Sequence, residues 1–136
     1  SNTTADNNTA VGYASMLLNT TGANNVAVGR DSLLSNTEGD ENVVVGADAL
    51  DANTTGSSNV AIGKSALGAN TTASNNTAVG ASALSANTEG HTNTAVGSEA
   101  AQAITTGDEN VAIGHGALDG GTTVNGNTAV GTDTMG

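Results

Sequence analysis

Apolar and polar positions along this chain recur every 17 residues, a period longer than that of any single helix or strand, so the repeat governs the fold. Its clearest mark is the stretch Asn-Thr/Val-Ala-Val/Ile-Gly, which opens at Asn8 and returns at Asn25, Asn42, Asn59, Asn76, Asn93, Asn110 and Asn127. Each copy is numbered here from that Asn. Position two is Thr or Val, and position four is Val11, Val28, Val45, Ile62, Val79, Val96, Ile113 or Val130. These β-branched residues alternate with small ones at positions three and five, Val44 excepted, which is the period-two pattern of a short strand. No copy carries a charge on either face of that strand, which predicts that both faces are hidden, as in stacked parallel strands covered on two sides.

Positions eight, nine and eleven form a second apolar edge, with position nine its bulky member, as in Ala66-Leu67 and Ala69. Columns four and nine are therefore expected to be the most buried. All charged side chains fall at positions six, seven, ten, fourteen, sixteen and seventeen, and the corners at five to seven and fourteen to seventeen are expected to be exposed. Gly at position five, and usually at fifteen, suits corners that need positive φ or close backbone approach. The Asn at position one and the Asn at twelve in most copies would stack into columns able to satisfy turn backbone groups and one another. Pro is absent throughout, in keeping with a ladder that needs its N–H groups. A helical repeat is excluded because Gly, Asn and Thr interrupt every copy too often for two helices.

The pattern thus predicts an all-β parallel solenoid, one domain over residues 1–136, with eight coils of 17 residues. A rise of about 4.8 Å per coil makes it roughly 38 Å long. In one copy position nine is Ala101 and position twelve Ile104, so volume lost at one site returns at the other; the two positions are expected to meet inside the coil. The copy with Gly120-Gly121 and Val124 is expected to be looser.

Composition explains why the core must be repetitive. One Tyr and no Phe, Trp or Cys leave Ala, Val, Leu and Ile to build thin, layered packing in place of a globular centre. A net charge of −11, with Arg30 and Lys64 the only cations, argues against nucleic acid and anionic membranes as partners. No apolar run is long enough to insert in a bilayer, and no leader pattern opens the sequence. The Asn-x-Thr sequons at Asn19, Asn53 and Asn70 are read as by-products of an Asn-Thr-rich repeat.

No catalytic constellation emerges, and no cofactor is expected. His91 and His115 occupy different repeat positions without a Ser or Cys nucleophile pattern. Asp31 and Asp48 share position seven in adjacent coils and could offer Ca²⁺ a weak pair of carboxylates, but their column neighbours are Ala14 and Ser65 and no calcium repeat motif is present. The glycines lack the Lys-Ser/Thr of a phosphate loop, and Tyr13 alone makes no stacking platform. The Thr columns at thirteen and fourteen raise ice binding as an alternative function, although Glu38 and Glu89 interrupt the second column.

The runs Asn59-Val60-Ala61-Ile62-Gly63 and Asn110-Val111-Ala112-Ile113-Gly114 resemble the Asn-Ser-Val-Ala-Ile-Gly repeats of trimeric autotransporter adhesin heads. Asn76-Thr77-Ala78-Val79-Gly80, followed by Ala83-Leu84 and Asn87-Thr88, resembles repeats of phage tail fibres and related bacterial surface proteins. The resemblance covers every repeat and implies a left-handed β-roll that trimerises, in a non-enzymatic, extracellular fibre or adhesin segment on a cell or virion. Trimerisation is expected through the strand face bearing the small residues of positions three and five. Since the chain runs from position eleven to position ten, head-to-tail stacking into a filament is a further expectation.

Overall fold

The structure, a computed structural model, describes residues 5–135. It consists of eight three-residue strands, β1 (Thr9–Val11), β2 (Val26–Val28), β3 (Val43–Val45), β4 (Val60–Ile62), β5 (Thr77–Val79), β6 (Thr94–Val96), β7 (Val111–Ile113) and β8 (Thr128–Val130). They form one parallel sheet in chain order, and the register sets each residue beside the one 17 positions later, Thr9 beside Val26 and Ala61 beside Ala78. One strand per 17-residue turn, with no helix among the described residues, makes the chain a β-solenoid.

The core lies on one side of the sheet. At position three Ala27, Val44, Ala61, Ala78, Ala95 and Ala112 are fully buried, and they pack with the position-nine column from Met16 to Leu118 in one continuous cluster. Column nine is buried as its bulk predicts. Column four is not: Val11, Val45, Ile62, Val96, Ile113 and Val130 are exposed, and Val28 and Val79 half-buried. Successive side chains of a strand point to opposite sides, so once position three faces the interior, positions two and four must face out. The expectation that both strand faces are hidden fails for this outer face.

Interior space accounts for the small residue that position three usually carries, because the bulky position-nine side chain from the opposite wall fills much of the turn; Val44, the one larger residue there, is also fully buried. Every position-nine residue has positive φ, Leu33 at 52° and Leu67 at 52° for example. That conformation costs an L-residue roughly 1–2 kcal/mol. Full burial of the leucine is worth about 1.5–3 kcal/mol and outweighs it, while the backbone N–H of Leu67 donates to the Ala83 carbonyl one turn on. Positions seven and seventeen also have positive φ in every described copy, and their N–H groups donate in the opposite direction along the stack, as Asp31 to Tyr13 and Asn24 to Asp6.

The two Asn columns line the far corner. At position one each Asn amide from Asn8 to Asn110 donates to the position-fifteen carbonyl of its own turn, as Asn76 Nδ2 to Gly90 at 2.8 Å, and its Oδ1 accepts the backbone N–H of the next Asn in the column. At position twelve the amides of Asn36, Asn53, Asn70 and Asn87 donate to that same carbonyl and to the preceding Asn Oδ1, as Asn53 Nδ2 to Gly56 and Asn36. Position fifteen is therefore an interior site, and its expected exposure is corrected: Gly22, Gly39, Gly56, Gly90 and Gly107 are buried. A Cβ on Gly39 would strike the carbonyl of Gly56 and the Asn36 side chain, which is why this position is usually Gly. At position five φ is +130° to +145°, and from Gly12 to Gly114 a Cβ would overlap the Gly carbonyl of the next turn.

The substitution pair Ala101 and Ile104 behaves as its volumes predict, both residues lying fully inside the core cluster. In the following turn Gly121 leaves position twelve without a side chain, and Val124 at fifteen packs against the core instead; a Cβ on Gly121 would meet the Val124 methyl groups.

Candidate interaction face

Alternation along eight aligned strands builds a flat outer face of two columns. Position two contributes Thr9, Val26, Val43, Val60, Thr77, Thr94, Val111 and Thr128, and position four contributes Val or Ile in every turn. Ile62 is 38% exposed, Ile113 41% and Val130 64%. These exposed and half-buried β-branched residues are contiguous over the whole sheet. No charged residue lies in either column, whereas the remaining surface carries thirteen acids.

The trimer face expected from the small residues of positions three and five is corrected here. Ala27, Ala61 and Ala78 have no accessible surface, so position three cannot meet another chain. Small size at that position serves the interior. The strand face turned outward is formed by positions two and four, with Val11, Val28, Val45, Ile62, Val79, Val96, Ile113 and Val130 in line at position four.

The ion pairs and polar columns around this face have local structural uses. Arg30 bridges Asp31 and Asp48, with Nη2 2.7 Å from the Asp48 carboxylate, so a guanidinium already occupies the space between the two carboxylates considered for Ca²⁺. No group of three metal-ligating side chains and no pocket occurs among the described residues. Burial, with smaller contributions from Asp48 and Asp31, raises the carboxyl of Asp51 above its ordinary range. The Thr hydroxyls of position thirteen donate to the backbone, as Thr37 Oγ1 to the Thr54 carbonyl at 3.1 Å, and are half-buried. Asn19, Asn53 and Asn70 are fully buried, which closes their sequons to any glycan in the folded chain.

One organised column escapes a reading of the sequence. At position sixteen the backbone N–H of each turn donates to the side chain of the next: Ala23 to Asp40, Asp40 to Ser57, Ser57 to Ser74, Ser74 to His91, His91 to Asp108 and Asp108 to Asn125. His91 accepts through Nδ1 at 3.0 Å, which places its proton on Nε2 and gives it the same corner role as an Asp or Ser. His115 stands elsewhere, exposed between Glu99 and Asp133. The available signal was compositional: position sixteen favours acceptors of unlike chemistry, and only their shared acceptor function unites them.

No helix is long and apolar enough to cross a membrane among the described residues. No family model matches the chain, and no curated protein or solved structure matches it.

Proposed function

We propose that the chain is a structural and adhesive rod segment of a surface fibre or trimeric head, assembled from identical copies through the outer face of positions two and four. The observation that carries this reading is the uncharged, β-branched face running unbroken across eight strands of a chain whose other surfaces bear acids. An apolar sheet face of this extent gains by leaving water, at roughly 25 cal/mol per Å² of apolar area. Association around an axis parallel to the stack would cover it along its full length. The resemblance of the Asn59–Gly63 and Asn110–Gly114 runs to adhesin-head repeats favours three copies. Sedimentation equilibrium should give three times the chain mass, and Ile62→Glu should return the monomer while leaving circular dichroism unchanged. A monomeric wild type at millimolar concentration would overturn the reading.

The same face supports a second reading. Thr9, Thr77, Thr94 and Thr128 share the flat outer surface with Val and Ile at regular spacing, an arrangement suited to ordered water. Ice binding through this face requires a monomer with thermal hysteresis, and a trimer that buries the face would show none.

A further inference from the structure

We propose that copies lie side by side with their stacks parallel and their turns in register, held in that orientation by Lys64 of one copy against Glu41 of the next; this rests on association through the outer face. Each strand crosses that face from position two to position four, so the face has an entry margin at positions sixteen and seventeen and an exit margin at position six. Acids stand on the entry margin, Asp40 and Glu41 before β3 and Asp108 and Glu109 before β7. The chain's two cations stand on the exit margin. Arg30 is spent within its own copy on Asp31 and Asp48. Lys64 is exposed and makes no ion pair among the described residues. Glu41 is exposed as well, and its carboxylate holds only a long hydrogen bond from the Ser58 hydroxyl among the described residues, at 3.4 Å.

Symmetry decides which margins meet. Rotation about an axis parallel to the stack, for two copies or three, brings the exit margin of one copy to the entry margin of the next at the same height. Glu41 precedes β3 and Lys64 follows β4, so the two lie one strand spacing apart in height, about 4.8 Å, within reach of a lysine side chain. Inverting one copy about an axis along the strands sets exit margin on exit margin, where the acids near Lys64 are those of position seven, Asp31 and Asp48 already held by Arg30, and Glu99 and Asp133 on either side of His115. Copies that each carry −11 repel, and the parallel arrangement gives the free cation Glu41, a carboxylate that no cation of its own copy holds among the described residues.

Sedimentation equilibrium at low salt tests the pairing, with circular dichroism to verify that each variant folds. Lys64→Glu and Glu41→Lys should each raise the dissociation constant about tenfold, because each copy in a ring contributes one pair and reversal converts attraction to repulsion. Glu41→Lys is the sharper of the two, since it reduces net repulsion and would strengthen assembly if bulk charge alone mattered. The double reversal should return the constant to within about threefold of wild type, and 1 M salt should erase the differences. The native chain has no Cys, so mixing Lys64→Cys with Glu41→Cys chains under mild oxidation should yield the mixed disulfide. A wild type that assembles while both reversals leave its constant unchanged, or that gives only Lys64→Cys homodisulfides, overturns this inference alone. A wild type that never assembles overturns the proposed function with it.

Discussion

Two columns of asparagine run along the same corner of the solenoid, and only one of them is continuous. Position one is Asn in all eight copies, whereas position twelve gives way to Ile104 and Gly121. The difference lies in what each Oδ1 accepts. At position one it takes a backbone N–H, as Asn76 takes that of Asn93, and a backbone donor cannot be removed by changing a side chain. At position twelve it takes the side-chain amide of the next Asn, as Asn53 takes that of Asn70, so donor and acceptor can be lost together. Only the boundary residue suffers: Asn87 Oδ1 is buried without a hydrogen-bond partner among the described residues because Ile104 follows it in the column. A hydrogen-bond ladder tolerates apolar replacement where it is closed among side chains and resists it where it serves the main chain.

The largest effect is expected from a change that ignores both ladders. Ala61→Glu places a carboxylate on the fully buried side of β4, and an uncompensated buried charge costs roughly 3–5 kcal/mol. Loss of the cooperative urea transition should follow, in contrast to Ile62→Glu one residue away. Next, Asn76→Ala strands the Asn93 N–H and removes one of two donors to the Gly90 carbonyl, for about 3 kcal/mol by denaturant unfolding. Asn53→Ala is the matched control. Its neighbour Asn70 keeps the Ala73 carbonyl, so a loss of about 1–2 kcal/mol is expected, and equal losses at the two sites would break the comparison.

Repair of the broken column should stabilise. Ala101→Leu with Ile104→Asn restores the consensus pair and offers Asn87 Oδ1 a donor, for a gain of about 1 kcal/mol. Ile104→Asn alone should lose stability, because Ala101 leaves the volume unfilled. The smallest effect concerns pH. Neither ladder titrates, so the interior contributes no pH dependence of its own. Asp51 does: its carboxyl is raised in the fold by burial, so its protonated form is the better tolerated one, and the stability it contributes at low pH is lost as pH rises through its folded value. Asp51→Asn should therefore give a small rise in melting temperature at neutral pH that vanishes below the carboxylate range.

The repeat itself was legible because every position recurs, and the parallel stack, the buried column nine, the Asn columns and the compensation at Ala101 and Ile104 all follow from it. What could not be read was which side of the strand faces in. Positions two and four are large and three is small, so size pointed column four to the core, yet interior space is set by Leu33, Leu50, Leu67 and Leu84 arriving from the opposite wall, a tertiary fact. The error carried through to the association face, which inverts with the strand. Position fifteen was misjudged for a related reason: glycine there meets packed carbonyls and amides where open turn geometry was expected. The column at sixteen hid behind the unlike chemistry of Asp40, Ser57, His91 and Asn125.

The long-range hydrogen bonds of the Asn ladders have a consequence for how such a molecule can vary. The position-one bonds span 14 or 17 residues and touch only a residue's own turn or the next. Removing the segment from Asn59 to Asn75 would set Asn76 directly on Asn42, whose Oδ1 would accept the same N–H that it now accepts from Asn59. Stability in such an array is a sum over neighbouring turns. Length is thus a quantity the chain can change by whole turns, in steps of about 4.8 Å, without redesign of any contact in the turns that remain.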